Sequence, residues 1–246
     1  MTWKKSWTTL NIPRVRSSLN FSIFVYSSVE DMVQYDLQRE NKAKLQSMCQ
    51  KIKIELLHQL DHGKKLLVLD LDRTLFDHKS QATHIGQLMR PGLHEFLVAM
   101  SEHYNIAIWS QSSWRRLEMK LTELGLLTHP EYRIHFVMDV TTMFSICSYQ
   151  KGKPVRHQVK ALQLIWHQFT HFGPHNTVHV DDLSRNFALN PKNGIKIRGF
   201  RSENQGEDCD LLWLAHYLND LAAVADISAV NHDKWKAHSI KKNHVG

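Results

Sequence analysis

No stretch of the 246-residue sequence approaches the run of about 20 apolar residues that a membrane-spanning helix needs. The longest N-terminal apolar stretch, around Phe21 to Tyr26, is broken by Ser22, Ser27 and Ser28, so neither a membrane span nor a membrane partner is expected. Cysteine is scarce. Cys49, Cys147 and Cys209 are odd in number, widely spaced and form no CxxC pair, which argues against a disulfide framework or a zinc site and fits a reducing compartment. Acidic residues are missing before Glu30, where Lys4, Lys5, Arg14 and Arg16 stand among Ser and Thr; a poorly ordered tail is a simpler reading than a mitochondrial presequence. Internal repeats and low-complexity segments are also missing. The basic residues form no dense cluster with interleaved aromatics, so no specific nucleic-acid partner is expected despite a net charge of +7. That charge, with a pI near 9.3, favours anionic partners without choosing among them. Seventeen histidines make any lone histidine a weak signal.

At 246 residues and 42% hydrophobic content, the chain suits one sizeable α/β core. Residues 1–34 read as a disordered tail and 35–62 as a linking helix, Met32, Leu37, Leu45, Met48, Ile52 and Leu56 spacing an amphipathic helix from 29 to about 60. Residues 63–225 read as the catalytic domain and 226–246 as a C-terminal extension. Lys65-Leu66-Leu67-Val68-Leu69 is a short continuous apolar run of the kind that a buried parallel strand shows, and it ends at Asp70. Two similar runs end at Ser110 and Asp181. Helical stretches are expected over 92–102, over 114–124 closed by Gly125, over 159–172 closed by Gly173, and over 209–224. This alternation predicts a Rossmann-like parallel sheet with helices on both faces, and ligands bound beyond the carboxyl ends of the strands. Residues from about 134 to 157, rich in β-branched and aromatic side chains and ending in a Lys-Gly-Lys-Pro turn, read as a small β insertion.

The chemistry gathers at Asp70-Leu71-Asp72-Arg73-Thr74, directly after the first strand. Two carboxylates so spaced can both reach one ligand if the chain turns there. A carboxylate held by Mg²⁺ can attack phosphorus in line, and its neighbour can protonate the leaving alkoxide and then deprotonate water. Alone, the motif is also what an acidic turn after a strand looks like. Ser110 offers a hydroxyl to a phosphoryl oxygen, Lys160 offers an ammonium, and Asp181-Asp182 supply the further carboxylate that Mg²⁺ takes. Each has an ordinary structural reading. The four together, in this order, are hard to obtain by chance.

The order DxDxT, Ser, Lys, DD resembles the four motifs of haloacid-dehalogenase (HAD) phosphatases. Leu69 to Leu75, Arg90-Pro91-Gly92-Leu93 and Ile108-Trp109-Ser110 narrow the resemblance to FCP/SCP-type phosphatases of the RNA polymerase II C-terminal repeat. The stretches KKLLVLDLDRTLFDHKS, LMRPGLHEFL, LAHYLNDLA and residues 181–200 are similar to the branch that carries a ubiquitin-like domain and acts on the nuclear proteasome. The resemblance covers about residues 35–242. It implies a HAD-like fold, a Mg²⁺ cofactor, a phosphoprotein substrate, the proteasome or RNA polymerase II as partner, and a nuclear, otherwise cytoplasmic, location. It implies Asp70 as nucleophile and metal ligand, Asp72 as acid/base and metal ligand through its carbonyl, Asp182 as metal ligand with Asp181 beside it, and Ser110 and Lys160 on the phosphoryl group. Thr74, Arg90 and Trp109 fall on the substrate side, the last two supporting the site or the peptide, though a core role for Trp109 fits equally. The chain departs from the family at Arg73, where Tyr is expected, and at residues 111–114. Too few residues precede Lys65 for both a ubiquitin-like domain and its linker. These departures leave a non-catalytic, phosphoprotein-binding paralogue as the alternative.

Overall fold

A computed structural model describes residues 29–150 and 153–243. In chain order the helices and strands are α1 (Val29–Lys51), β1 (Lys65–Leu69), α2 (Leu93–Ser101), β2 (Tyr104–Trp109), α3 (Trp114–Glu123), β3 (Ile134–Met138), β4 (Phe144–Gln150), β5 (Lys153–Val159), α4 (Gln163–Gln168), β6 (Thr177–Asp181), β7 (Gly194–Lys196), α5 (Asp210–Ala222) and α6 (Trp235–Asn243), with short 3₁₀ turns between them. Five strands form one parallel sheet in the order β3-β2-β1-β6-β7, while β4 and β5 pair as a separate antiparallel hairpin. The fold is the expected α/β parallel sheet with helices.

Strand periodicity explains why helices cover both faces. Leu67, Leu69, Ile106, Ile108, Val178 and Val180 point to one side and pack with Phe96 and Leu97 of α2, Leu117 and Leu121 of α3, and Leu214 and Leu218 of α5. Leu66, Val68, Ala107, Trp109, Phe136 and Met138 point to the other, against Leu164 and Ile165 of α4 and Leu45 and Met48 of α1. Because β1 is covered on both sides, every residue from Leu66 to Leu69 is fully buried, each worth roughly 1.5–3 kcal/mol relative to exposure. The register pairs Leu69 with both Ile108 and Val180, so three strands end side by side and present Asp70, Ser110 and Asp181 at one sheet edge.

Four boundaries differ from the sequence pattern. The helix that the spacing carries to about 60 stops at Lys51. Residues beyond it are extended because the Gln168 amide takes both backbone groups of Ile54, its Oε1 accepting from N at 2.7 Å and its Nε2 donating to O at 2.5 Å. Leu56 then bridges Phe136, which covers the exposed edge of β3. Second, only β4 and β5 form the insertion; Ile134–Met138 is a strand of the main sheet, its buried apolar run belonging with β1 and β2. The Lys151-Gly152 part of the expected turn lies outside the described residues. Third, the helix expected over 159–172 is reduced to Gln163–Gln168, Val159 being the end of β5. Gly173 has φ −167° and is extended, its N–H donating to Asn176 Oδ1 at 2.8 Å, whereas Gly125 is left-handed at φ 67° as a helix-closing glycine should be.

The fourth difference lies beyond residue 225, where Ile227 and Trp235 pack on the domain. Ile227 is fully buried, Trp235 joins the core cluster of α5, and Trp235 Nε1 donates to Lys196 O at 2.9 Å. Residues 1–28, most of the expected tail, lie outside the described residues, and α1 already begins at Val29. Trp235→Ala is expected to destabilise the domain by about 3–5 kcal/mol, as for a large core truncation. Urea unfolding checks this; a change within a few tenths of a kcal/mol would show the C-terminal segment to be a loose extension.

Candidate active site

Asp70 leaves β1 still anchored to the sheet, its N–H donating to Val180 O at 2.9 Å. The chain then reverses. Leu75 N donates to Leu71 O at 2.9 Å, and Arg73 adopts φ 68°, a left-handed conformation that costs a non-glycine residue about 1–3 kcal/mol. Arg73 is held there from both sides, its N–H donating to Phe76 O and its carbonyl accepting from Phe200 N, each at 2.6 Å. Gly199 leaves room for the Arg73 guanidinium: a Cβ there would lie 2.8 Å from Arg73 Nη2 and 3.2 Å from Asp182 Oδ2, so the arginine head would have to shift. The turn returns Thr74 beneath Asp70, and its Oγ1 donates to Asp70 Oδ2 at 2.9 Å.

The other carboxylate oxygen meets Lys160, whose fully buried ammonium lies 2.5 Å from Asp70 Oδ1 and 2.7 Å from Asp181 Oδ2. Lys160 does not open a helix; it follows β5, so the hairpin delivers it. Asn186 Nδ2 donates to Asp181 Oδ2 at 2.7 Å and Leu183 N to Asp181 Oδ1 at 2.8 Å, leaving both oxygens of Asp181 engaged. Among the described residues the one ion pair of Asp182 is with Arg73, Nε to Oδ2 3.8 Å. Ligand oxygens of Asp70, Asp181 and Asp182 all lie within 4.8 Å of one another.

One ammonium cannot neutralise three carboxylates in this space. Burial, with Asp181 adding repulsion, pushes Asp70 up to about 7 against the pull of Lys160 and Thr74. Asp182 is raised by the same two causes, whereas for Asp181 burial, the largest single influence, is outweighed by Lys160 and His179 together, which hold it below the usual carboxylate range. The site therefore lacks positive charge. Hard carboxylate oxygens without histidine or cysteine among them suit a hard divalent cation such as Mg²⁺.

Asp72 faces the same cleft but is tied separately. Its Oδ2 accepts from Ser110 Oγ at 2.9 Å and from Ser112 Oγ at 2.8 Å, and its Oδ1 is paired with Lys120. These donors hold it below the usual carboxylate range even though burial alone would raise it. The cleft is about 250 Å³, and Asp70, Asp72, Arg73, His78, Lys79, Gln111 and Asp182 line it.

The structure thus brings Asp70, Asp72, Ser110, Lys160, Asp181 and Asp182 to one place. The three residues expected on the substrate side are fully buried, as Lys160 and Ser110 also are, and each has protein partners of its own. Thr74 is fully buried and bonds Asp70. Arg90 is fully buried and forked, Nε and Nη2 donating to Asp208 at 2.8 and 2.9 Å, Nη2 to Asp210 at 2.9 Å and Nη1 to Thr74 O at 2.9 Å. Trp109 is fully buried in the core face with Phe136 and Met138, its ring 6.4 Å from that of His179. Ser110, expected on a phosphoryl oxygen, here donates to Asp72. Lys120, Ser112 and Asn186 escape a motif reading. The one available signal was a lysine between Leu117 and Leu121 on the buried stripe of α3.

The model of the NLI interacting factor-like phosphatases matches residues 65–228, more than half of the chain and the span that carries every residue of this site. The chain belongs to that phosphatase family. It is 42% identical over 216 residues to ubiquitin-like domain-containing CTD phosphatase 1 of Xenopus tropicalis and 40% identical to that of Homo sapiens, covering in each case 87% of this chain and 67% of the relative. The Arabidopsis thaliana ubiquitin-like domain-containing CTD phosphatase is 42% identical over 213 residues, 85% of this chain and 62% of the relative. A solved structure of Fcp1, an essential RNA polymerase II CTD phosphatase, is 14% identical with a TM-score of 0.38, covering 85% of this chain and 53% of that one, a likeness that adds nothing to the fold read from the strands themselves. By family, then, this is a protein phosphatase.

Arg90 separates support of the site from substrate contact. Arg90→Ala would leave Asp208 and Asp210 with only the more exposed Arg198 and Lys236 as counter-charges, and a loss of about 3 kcal/mol is expected in chemical denaturation. An unchanged midpoint with raised KM would return Arg90 to the substrate side.

Proposed function

We propose that this phosphatase is Mg²⁺-dependent and hydrolyses phosphoserine and phosphothreonine in proteins through an aspartyl phosphate on Asp70. The observation that carries the reading is the opposed tethering of two aspartates at one cleft: Asp70 by Thr74 and Lys160, Asp72 by Ser110, Ser112 and Lys120. Two carboxylates in different environments suit different tasks. Asp70, gripped on both oxygens, is oriented to attack phosphorus. Asp72 gives a proton to the departing serine or threonine oxygen and takes one from the water that opens the aspartyl phosphate.

Asp70, Asp182 and the Asp72 carbonyl would hold the Mg²⁺ ion, with Asp181 beside them; the double engagement of Asp181 by Lys160 and Asn186 supports Asp182 as the freer ligand. The ion would supply the positive charge that this carboxylate cluster lacks and polarise the phosphoryl group. Lys160 would hold phosphoryl oxygen as well as Asp70, and Ser110 would turn from Asp72 toward substrate.

The relatives' names, CTD phosphatases, support a phosphoprotein substrate such as the RNA polymerase II C-terminal repeat; a proteasome subunit as the other candidate substrate, and a nuclear location that imaging of tagged protein tests, rest on the resemblance of the sequence motifs alone. The basic rim of Arg73, His78 and Lys79 agrees with an anionic ligand.

Purified protein with Mg²⁺ is expected to turn over p-nitrophenyl phosphate, to lose that activity in EDTA and regain it with added Mg²⁺, and to lose it in Asp70→Asn. Turnover that survives both EDTA and Asp70→Asn would overturn the mechanism. Phosphopeptides are expected to exceed sugar phosphates in kcat/KM; the reverse preference would overturn the substrate class.

A further inference from the structure

Lys120 stands in the last turn of α3, where its neighbours Leu117, Leu121 and Leu124 are buried and its own side chain is only 12% exposed. Its ammonium pairs with Asp72 Oδ1 and donates to Ser112 Oγ at 3.0 Å. Ser112 Oγ in turn donates a hydrogen bond to Asp72 Oδ2 at 2.8 Å, so the lysine reaches both oxygens of the carboxylate, one directly and one through the serine. The backbone fixes this relay: Ser112 N donates to Ser110 Oγ at 3.0 Å, and Val140 N, just past β3, donates to Ser112 O at 3.1 Å. The Phe76 ring, its centroid 5.8 Å away, favours a cation at that position.

Asp72 has competing suitors. His78 Nδ1 lies 3.7 Å from the same Oδ1, and Arg73 and Lys79 line the same cleft. A carboxylate on a turn among so many cations has several directions to swing, and Lys120 approaches it from α3, an element packed into the core. An interaction set on a helix holds geometry better than one set on a loop.

We propose that Lys120, acting through Asp72 Oδ1 and the Ser112 hydroxyl, is a positioning residue for the acid/base step. It touches neither substrate nor metal; it fixes the rotamer from which Asp72 delivers its proton. The inference rests on the reading of Asp72 as the acid/base.

The test uses substrates that differ in their need for that proton, because nitrophenolate departs without one while a serine alkoxide does not. The value of kcat/KM, which reports only steps up to the first departure, is measured with Mg²⁺ for p-nitrophenyl phosphate and for a phosphoserine peptide. Asp72→Asn calibrates the pair and is expected to lose far more on the peptide; equal loss on both would sink the reading of Asp72 itself. Lys120→Met is expected to lower kcat/KM about 10–100-fold on the peptide and only about 2–3-fold on the nitrophenyl ester, with Lys120→Arg recovering part of the loss. Equal losses on both substrates, or no loss, alongside a calibrated Asp72→Asn would overturn the role of Lys120 alone. Ser112→Ala, a smaller change read in the same way, is expected to show the same bias to a lesser degree and serves if Lys120→Met does not fold; a folded Ser112→Ala without the bias would count against the relay.

Discussion

The site depends on one buried ammonium shared between two carboxylates. Lys160 is inaccessible to solvent and 2.5 and 2.7 Å from Asp70 and Asp181. A lone lysine in that position would be costly, and so would either aspartate; each is tolerable because the others are there. The arrangement draws on three separate strand ends, β1, β5 and β6, so the charge triad also fastens the hairpin to the parallel sheet. Fold and chemistry share the same contact. Without β5 to deliver Lys160, Asp70 would face Asp181 without that cation between them.

Around this triad the structure spends local strain to obtain position. Arg73 accepts a left-handed backbone, and its guanidinium lies over Gly199, where there is no side chain to displace it. What this secures is the return of Thr74 under Asp70 and the projection of Asp72 toward α3. Arg90 extends the same logic outward: by binding Thr74 O as well as Asp208 and Asp210, it links the catalytic turn to the start of α5 and, through Lys236 on Asp210, to α6. The C-terminal elements, which look peripheral in sequence, thereby brace the loop that carries both aspartates.

Parallel strands were the most legible feature because burial on both faces leaves continuous apolar runs, and β1, β2 and β6 each show one ahead of a polar residue. β3 was misplaced for the same physical reason: IHFVM is as apolar as β1, but its neighbours are as β-branched as any hairpin, and only sheet order separates the two. The motif residues were legible because phosphoryl transfer needs particular groups. Their supports were not. Thr74, Arg90 and Trp109 sit in or beside the motifs, and sequence cannot distinguish a side chain aimed at substrate from one aimed at the nucleophile, a carboxylate pair or the core. Lys120 and Asn186 lie outside every motif, and their part depends on tertiary approach alone.

Charge accounting links these observations to the chemistry. Asp70, Asp181 and Asp182 bring three negative charges into a space where Lys160 brings one positive, and Arg73 reaches Asp182 only at 3.8 Å. The raised Asp70 and Asp182 are the expression of that deficit, since protonation is the only relief open to buried carboxylates without a counter-charge. Asp72, with Lys120 to itself, shows no such deficit and is lowered. An electrostatically unsatisfied Asp70 is poised for a divalent cation, whereas the donors around Asp72 favour its ionised form, ready to accept a proton, so that in the proposed mechanism it must take one up before it can give one. The same difference explains why the two aspartates of one short motif, separated by a single leucine, could divide the labour of one reaction between them.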